Sequence, residues 1–259
     1  MKALIFDFDG LIIDTESADY LSWQAVYAAH GVPFPLDLWL GEVGTVGVFD
    51  PVHYLAERAP RPIDPAGVRA QFHQQDAATV AGLPIMPGVL DWLAQARQQG
   101  LALAIASSSP HEWVDGHLQR LGLYDRFDVI VCRDDVSGRA KPNPDVYQLA
   151  LGKLGVAAQQ ALALEDSRNG VLAARAAGLR VVAVPNPVTQ HQDLSPATWQ
   201  LASLAALPLP ALLAEIAANK PVSQEAETLI SWRWVFFSFP EKTCQVFGGY
   251  VHLLLLVKT

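Results

Sequence analysis

Short runs of apolar residues recur along the chain and predict the strands of a sheet. Five runs share this pattern: 2–6, 101–106, 129–132, 161–164 and 181–184. Runs this short and this uniformly apolar are typical of strands buried on both faces, as they are in parallel sheets. The first run ends in Asp-Phe-Asp-Gly, a sequence that favours a turn.

Helical patterns separate the later predicted strands. Apolar residues recur at helical spacing over 89–99, 144–154 and 170–177, and a glycine follows each stretch. Glycine directly after a helix is its commonest C-terminal cap. The alternation of strands and helices predicts an α/β fold with a doubly wound, Rossmann-like parallel sheet.

The segment between the first two strands departs from this alternation. Three helical patterns occupy it: 18–29, 51–59 and 65–81. Because no strand pattern separates them, we predict an inserted α-helical cap at 15–87. The core then consists of residues 1–14 and 88–218.

The last residues, 220–259, differ from the rest in composition. They contain no Asp, but they contain Trp-Arg-Trp and Phe-Phe-Ser-Phe clusters. We predict that they form an atypical C-terminal extension. Two interpretations stay open: the extension is dispensable or non-native, or it forms a dimerisation or membrane-surface element, since exposed apolar area usually marks an interface.

Composition and charge exclude several classes of protein. The chain has 259 residues, of which 51% are hydrophobic, and a formal net charge of −8. This content is sufficient for a buried core, and the charge disfavours nucleic acid and anionic lipid as partners. Cys132 and Cys244 are too few for a disulfide framework, which favours a reducing cytoplasm. We expect neither a signal peptide nor a membrane span, because no apolar run reaches about 18 residues.

Candidate chemistry begins at the end of the first predicted strand. Asp7 and Asp9 stand two positions apart there, so both carboxylates can point to the same side of an extended chain. The carboxyl edge of a parallel sheet is where ligands bind. Taken alone the pair is weak evidence, because a solvated turn after a strand also favours Asp and Gly.

Polar residues also follow other predicted strands or lie in nearby turns. Ser107, Ser108 and Ser109 are suited to an anion, Lys141 to a phosphate, and Glu165 with Asp166 to a hard cation. Each has an ordinary alternative: a serine N-cap, a surface lysine, or helix capping by an acid. The recurrence of such residues in one chain favours a shared site at one edge of the sheet.

Four segments carry a resemblance to a known family. They are FDFDGLIIDTE at 6–16, ALAIASSS at 102–109, KPNPDVY at 141–147 and ALEDSRNGVLAARAAG at 163–178. Together they resemble the haloacid dehalogenase superfamily of hydrolases, specifically its phosphatase and β-phosphoglucomutase-like branch. The resemblance covers residues 1 to about 218 and implies a core sheet with an inserted cap.

The resemblance implies roles for individual residues in phosphoryl transfer. Asp7 corresponds to the nucleophile that forms an aspartyl-phosphate, and Asp9 corresponds to the general acid and base. Ser107, Ser108 and Lys141 correspond to the phosphate-binding positions. Because the dehalogenases of the superfamily lack the second Asp, the presence of Asp9 favours phosphate ester hydrolysis.

The same resemblance implies Mg²⁺ as the cofactor. Its ligands would be Asp7, the backbone carbonyl of Asp9, and Asp166, with Glu165 nearby. Carboxylate oxygens are the ligands that this hard cation prefers. Mg²⁺ would neutralise the charge of the transferred phosphoryl group.

The predicted cap bears on the choice of substrate. No Lys or Arg occurs between Lys2 and Arg58, whereas the mutases of this branch carry cap arginines for a second phosphate. We therefore expect a phosphatase acting on a small phosphate ester with a neutral or cationic remainder, such as a sugar phosphate. Glu16 and Thr45 are the candidate cap contacts. A β-phosphoglucomutase-like mutase and a non-catalytic binding protein on the same fold remain alternatives, and the oligomeric state is left open.

Overall fold

A parallel sheet forms the centre of the computed structural model, which describes residues 1–218. Its strands are β1 (Ala3–Phe6), β2 (Ala102–Ala106), β3 (Val129–Val131), β4 (Ala161–Glu165), β5 (Arg180–Ala183) and β6 (Trp199–Gln200). Their order is β3-β2-β1-β4-β5-β6, and all neighbours are parallel. The first strand therefore lies inside the sheet, between β2 and β4, where both of its edges are hydrogen-bonded.

Helices surround the sheet and fill the connection after β1. They are α1 (Thr15–Ala29), α2 (Leu36–Glu42), α3 (Pro51–Arg58), α4 (Pro65–Val80), α5 (Val89–Gln98), α6 (His111–Arg120), α7 (Asp145–Leu154), α8 (Arg168–Ala176) and α9 (Leu209–Ala217). Short 3₁₀ turns occupy 124–126, 133–136, 158–160, 189–191 and 204–206. In this part of the chain, no helix combines the length and the apolar character that crossing a membrane requires.

The two faces of the sheet pack against different helices. Leu4 and Phe6 of β1 belong to a buried cluster with residues of α5, α6 and α9. Ala3 and Ile5 point to the other face and belong to a second cluster with residues of α7 and α8. This alternation follows from the two-residue period of an extended chain. The predicted fold class, a doubly wound α/β sheet with inserted helices, is confirmed.

The helices α1 to α4 contain a third hydrophobic cluster that is rich in aromatic rings. Trp23 stacks on Phe72 with ring centroids 4.1 Å apart, and Tyr27 meets Phe34 edge to face at 4.8 Å. Val188, which lies in the loop after β5 and not in these helices, is also buried in this cluster. We call residues 15–87 the helical segment. Its exact boundaries as a separate cap stay a prediction.

Every predicted strand and helix of residues 1–218 occurs within three residues of its expected ends, and four further elements were missed. The helix predicted at 18–29 begins at Thr15, because Asp14 caps it by accepting the N–H of Ser17 at 3.1 Å. The sequence analysis did not predict α2, α6, α9 or β6. The predicted extension at 220–259 lies outside the described residues.

Candidate active site

The candidate site lies where the central strands end. Phe6, the last residue of β1, is in register with Ile105 of β2 and Leu164 of β4. The residues that follow these strands therefore meet at one edge of the sheet. The N–H of Asp7 donates to Leu164 O at 2.9 Å, and the N–H of Ser107 donates to Val131 O at 3.0 Å, so the parallel pairing continues into the site.

Lys141 lies at the centre of this edge and is almost wholly buried. Its Nζ donates to Asp7 Oδ1 and to Glu165 Oε1, each at 2.7 Å. It is the one buried basic side chain within residues 1–218. Burial by itself would lower the pKa of Lys141, but the charges of Asp7 and Glu165 raise it above the usual value. Lys141 therefore stays a cation, and it holds two carboxyls from different strands.

The carboxyls at this edge outnumber that single cation. Burial, and then the charge of Glu165, raise the pKa of Asp7 to about 8, although Lys141 opposes the shift. Burial also raises the pKa of Asp166 well above its usual range, with further contributions from Asp7 and Glu16. Such crowding of buried acids favours a bound cation or a proton.

The same carboxyls satisfy the requirements of a cation site. Asp7, Glu165 and Asp166 each offer an oxygen, and these oxygens lie within 4.8 Å of one another. Asp166 Oδ2 accepts a hydrogen bond from Asn186 Nδ2 at 2.8 Å. Asp166 Oδ1 and Glu165 Oε2 are buried and find no hydrogen-bond partner among the described residues. Buried oxygens without a donor are what a hard cation requires.

Two glycines make this crowding possible. A Cβ on Gly10 would lie 2.1 Å from Asp166 Oδ2, and Gly10 has a φ of +73°, which disfavours other residues. A Cβ on Gly170 in α8 would lie 1.9 Å from Glu165 Oε2. Both positions therefore need glycine so that backbone and carboxylates can lie this close together.

Asp9 receives three side-chain hydrogen bonds. Thr15 Oγ1 and Trp113 Nε1 donate to its Oδ1 at 3.0 and 2.8 Å, and Ser109 Oγ donates to its Oδ2 at 2.6 Å. The three donors come from α1, α6 and the loop after β2. The carboxyl of Asp9 is therefore held in one orientation beside Asp7.

The two serines predicted to bind phosphate differ in their surroundings. Ser107 is buried, and its Oγ accepts the N–H of Ser109 at 2.9 Å. Ser108 Oγ donates to Gly44 O and accepts the N–H of Lys141, both at 3.1 Å. The hydroxyl proton of Ser107 is thus available to an anion, whereas that of Ser108 is used in a contact with the helical segment.

The two predicted cap contacts differ in how directly the structure links them to the site. Glu16 is buried, and burial followed by the charges of Asp9 and Asp7 raises its pKa well above the usual range. Thr45 is half-buried and follows Gly44, whose Cβ would lie 2.2 Å from Ser167 Oγ. Glu16 therefore belongs to the acidic cluster, and Thr45 lies next to Gly44, where the helical segment approaches Ser167 closely.

The arginines of the helical segment lie exposed at its surface. The Arg58 guanidinium lies 3.5 Å from the Tyr54 ring centroid and bonds to Glu57 at 3.0 Å. Arg69 pairs with Asp50 at 3.2 Å. Arg61, the third arginine of the helical segment, is also exposed.

Sequence reasoning missed four residues of the site: Thr15, Trp113, Tyr147 and Asn186. The Tyr147 hydroxyl donates to Glu165 Oε1, and Asn186 donates to Asp166. Asn186 follows β5, so the same search of strand ends would have found it. Trp113 lies within α6, where nothing in the sequence distinguishes it from a packing residue.

The chain is similar to several known proteins in sequence and in structure. A family model described as haloacid dehalogenase-like hydrolase matches residues 1–178. YhcW of Bacillus subtilis, provisionally named a phosphatase, is 41% identical over 213 residues, covering 82% of this chain and 96% of YhcW. Hexitol phosphatase B of Escherichia coli K12 is 32% identical over 191 residues, covering 73% of this chain and 86% of that protein. The crystal structure of a CbbY variant from Rhodobacter sphaeroides in complex with xylulose-1,5-bisphosphate has a TM-score of 0.65 and 30% identity, and the match covers 82% of this chain and 99% of that one.

Proposed function

Since the chain belongs to the haloacid dehalogenase-like hydrolases, we propose that it is an Mg²⁺-dependent phosphatase for small phosphorylated metabolites. The observation that carries the proposal is the buried Lys141, which holds Asp7 Oδ1 at 2.7 Å while Asp9 stands two residues further along. A carboxylate beside a fixed cation is suited to attack on phosphorus, because the cation offsets the repulsion between two anions.

Asp7 and Asp9 divide the reaction into two steps. In the first, an oxygen of Asp7 bonds to phosphorus while the ester P–O bond breaks, and the leaving oxygen takes a proton from Asp9. In the second, Asp9 takes a proton from water, whose oxygen bonds to phosphorus and releases Asp7 with inorganic phosphate. Two displacements of this kind replace one more difficult displacement.

The remaining residues of the edge bind the phosphoryl group and the cation. Lys141 and Ser107 would hold phosphoryl oxygens, since one is a buried cation and the other has a free hydroxyl proton. Asp7, Asp166 and the carbonyl of Asp9 would hold Mg²⁺, with Glu165 beside them. Bound there, Mg²⁺ supplies the charge neutralisation that phosphoryl transfer requires.

The charges around the site support a substrate with one phosphate. Glu16 adds a buried carboxyl, and the arginines of the helical segment, Arg58, Arg61 and Arg69, are exposed at the surface. A second phosphate would therefore meet acids instead of a bidentate arginine. We propose sugar or polyol phosphates as the substrate class. Because the CbbY variant binds a bisphosphate, bisphosphates are the compounds with which this proposal is best tested.

The test is phosphate release from a panel of sugar, polyol and bisphosphate esters, with Mg²⁺ and with EDTA. We expect release that requires Mg²⁺, prefers monophosphates and disappears in Asp7→Asn. A higher kcat/KM for bisphosphates would contradict the proposed substrate class. A coupled assay for sugar phosphate isomerisation is run in parallel, and isomerisation without release would identify a mutase. Binding of phosphate esters without either reaction would indicate a non-catalytic protein.

A further inference from the structure

Trp113 contacts Asp9 in a way that the proposed reaction does not yet explain. Its indole Nε1 donates to Asp9 Oδ1 at 2.8 Å, from the first turn of α6. We propose, on the basis of the proposed phosphatase function, that Trp113 is a positioning residue: it fixes which oxygen of Asp9 carries the proton for the leaving group.

The argument rests on the chemistry of the three donors. An indole N–H can only donate a hydrogen bond, so Trp113 keeps Asp9 Oδ1 in the role of an acceptor. Thr15 Oγ1 accepts the N–H of Gly10 at 3.2 Å and donates to the same Oδ1 at 3.0 Å. Ser109 Oγ is 2.6 Å from Oδ2, and a hydroxyl can rotate to donate or to accept. Oδ1 already accepts two hydrogen bonds, one of them from an indole that cannot reverse its role, so a proton on Oδ1 would break one of them. Oδ2 accepts a single hydrogen bond, from a hydroxyl that can reverse its role, and therefore has room for a proton.

This arrangement assigns different tasks to the two oxygens. Oδ1 stays an acceptor throughout and holds the plane of the carboxyl. Oδ2 carries the proton that goes to the leaving oxygen, and it receives the proton that water gives up in the second step. Without the indole N–H, the protonated carboxyl could place its proton on either oxygen, and the productive arrangement would be populated less.

Neighbouring side chains hold the indole in place. The ring of His117 meets the ring of Trp113 edge to face at 4.4 Å, and Arg120 Nε donates to His117 Nδ1 at 3.3 Å. Because arginine only donates, Nδ1 of His117 is an acceptor and the ring is neutral. Burial and the charge of Arg120 lower the pKa of His117, which favours the same neutral form. Arg120 also donates to Val80 O and Leu83 O at 3.4 Å, which fixes α6 against the end of α4.

The test uses Trp113→Phe, which keeps an aromatic ring and removes the N–H. Two substrates are compared: the alkyl phosphate that ranks first in the panel above, and p-nitrophenyl phosphate, whose leaving group departs without protonation. We expect kcat/KM to fall about tenfold to a hundredfold for the alkyl ester and less than about threefold for p-nitrophenyl phosphate. A residue that only supports the fold would lower both values equally.

Trp92→Phe is the matched control, because Trp92 Nε1 donates to Leu204 O at 2.8 Å in the core, and thermal melting shows whether each variant folds. We expect Trp92→Phe to lower the melting temperature and to leave the ratio of the two kcat/KM values unchanged. Equal losses on both esters in Trp113→Phe, or no loss on either, would overturn the positioning role. No release by the wild-type protein from either ester would overturn the phosphatase proposal on which the role rests.

Discussion

The strand-end cluster and the helical segment are built from different kinds of contact. In the cluster, side chains bind one another: Lys141 joins Asp7 and Glu165, and all three are buried. Between the core and residues 40–44 of the helical segment, core side chains donate instead to backbone carbonyls. Three of these contacts are no longer than 3.1 Å: Ser108 Oγ to Gly44 O at 3.1 Å, Asn169 Nδ2 to Val43 O at 2.8 Å, and Gln192 Nε2 to Leu40 O at 2.7 Å.

The two kinds of contact differ in how far they depend on the identity of the residues that make them. A contact between buried side chains depends on the identity of both residues, because a buried group left without its partner is costly. A contact to a backbone carbonyl depends only on the path of the chain. The carbonyl contacts of Leu40 and Val43 therefore place no demand on their side chains, whereas the contacts of the strand-end cluster depend on the side chains themselves.

The largest effect is expected at Gly10 in the strand-end cluster. Gly10→Ala places a Cβ 2.1 Å from Asp166 Oδ2 at a φ of +73°, so the carboxyl must move. We expect kcat/KM to fall by at least about a hundredfold, as displacements of about 1 Å do in active sites. Gly100→Ala is the control, because it has a φ of +69° and no atom within 4 Å of its Cβ. Equal activity in the two variants would show that crowding at Gly10 does not matter.

Asp166→Asn tests the cation site of the cluster. The amide keeps the shape of the side chain but removes one of the three carboxylates that could hold a cation. We expect the Mg²⁺ concentration for half-maximal activity to rise at least about tenfold. We also expect the gain in melting temperature on adding Mg²⁺ to shrink. Asp125→Asn, at an exposed position, should change neither, and an unaltered Mg²⁺ titration in Asp166→Asn would argue against this ligand set.

Gly44→Ala tests the contact between the helical segment and the core. Its Cβ would lie 2.2 Å from Ser167 Oγ, which pushes residues 40–44 away from the strand ends. We expect kcat/KM to fall about tenfold, equivalent to about 1.4 kcal/mol, while the Mg²⁺ requirement stays the same. Gly47→Ala is the control, since it has a φ of +80° and open space around its Cβ. A changed Mg²⁺ requirement in Gly44→Ala would mean that the two regions do not act separately.

The smallest effect concerns side-chain pairs at the core surface. His111 contacts Asp115 at 3.1 Å and Asp135 at 2.9 Å. Burial would lower the pKa of His111, but these two carboxylates raise it above 6.5. The pairs therefore stabilise the fold fully below pH 6.5, and this contribution is lost as the pH rises through the folded pKa.

The measurement is urea unfolding of the wild type and His111→Gln between pH 5.5 and 8.5. We expect the difference in free energy of unfolding to decrease by about 0.5 kcal/mol across this range, because ion pairs that water can reach contribute little. A difference that grows with pH would contradict the sign. The strand-end cluster is also built from charged pairs, but its pairs are buried. Charged pairs that water reaches, such as those of His111, contribute much less.

Much of the fold could be predicted from local pattern. The predicted runs became β1 to β5 with small shifts at their ends, because a short apolar stretch between turns has few other ways to be buried. The elements that were missed had weaker signals. For example, β6 has two residues, and α6 begins with His-Glu-Trp, a sequence with no apolar stripe at its start.

The candidate site also combines residues that the sequence predicted with contacts that it did not predict. The sequence by itself determined the strand-end residues, from Asp7 to Asp166, because parallel strands bring their carboxyl ends to one edge whatever the details of packing. Only the tertiary structure decided that Trp113 bonds to Asp9 across 104 positions and that Gly44 approaches Ser167. The physical reason is that a local pattern fixes the period and the ends of each element, whereas the angle at which one element meets another depends on the packing of the whole fold.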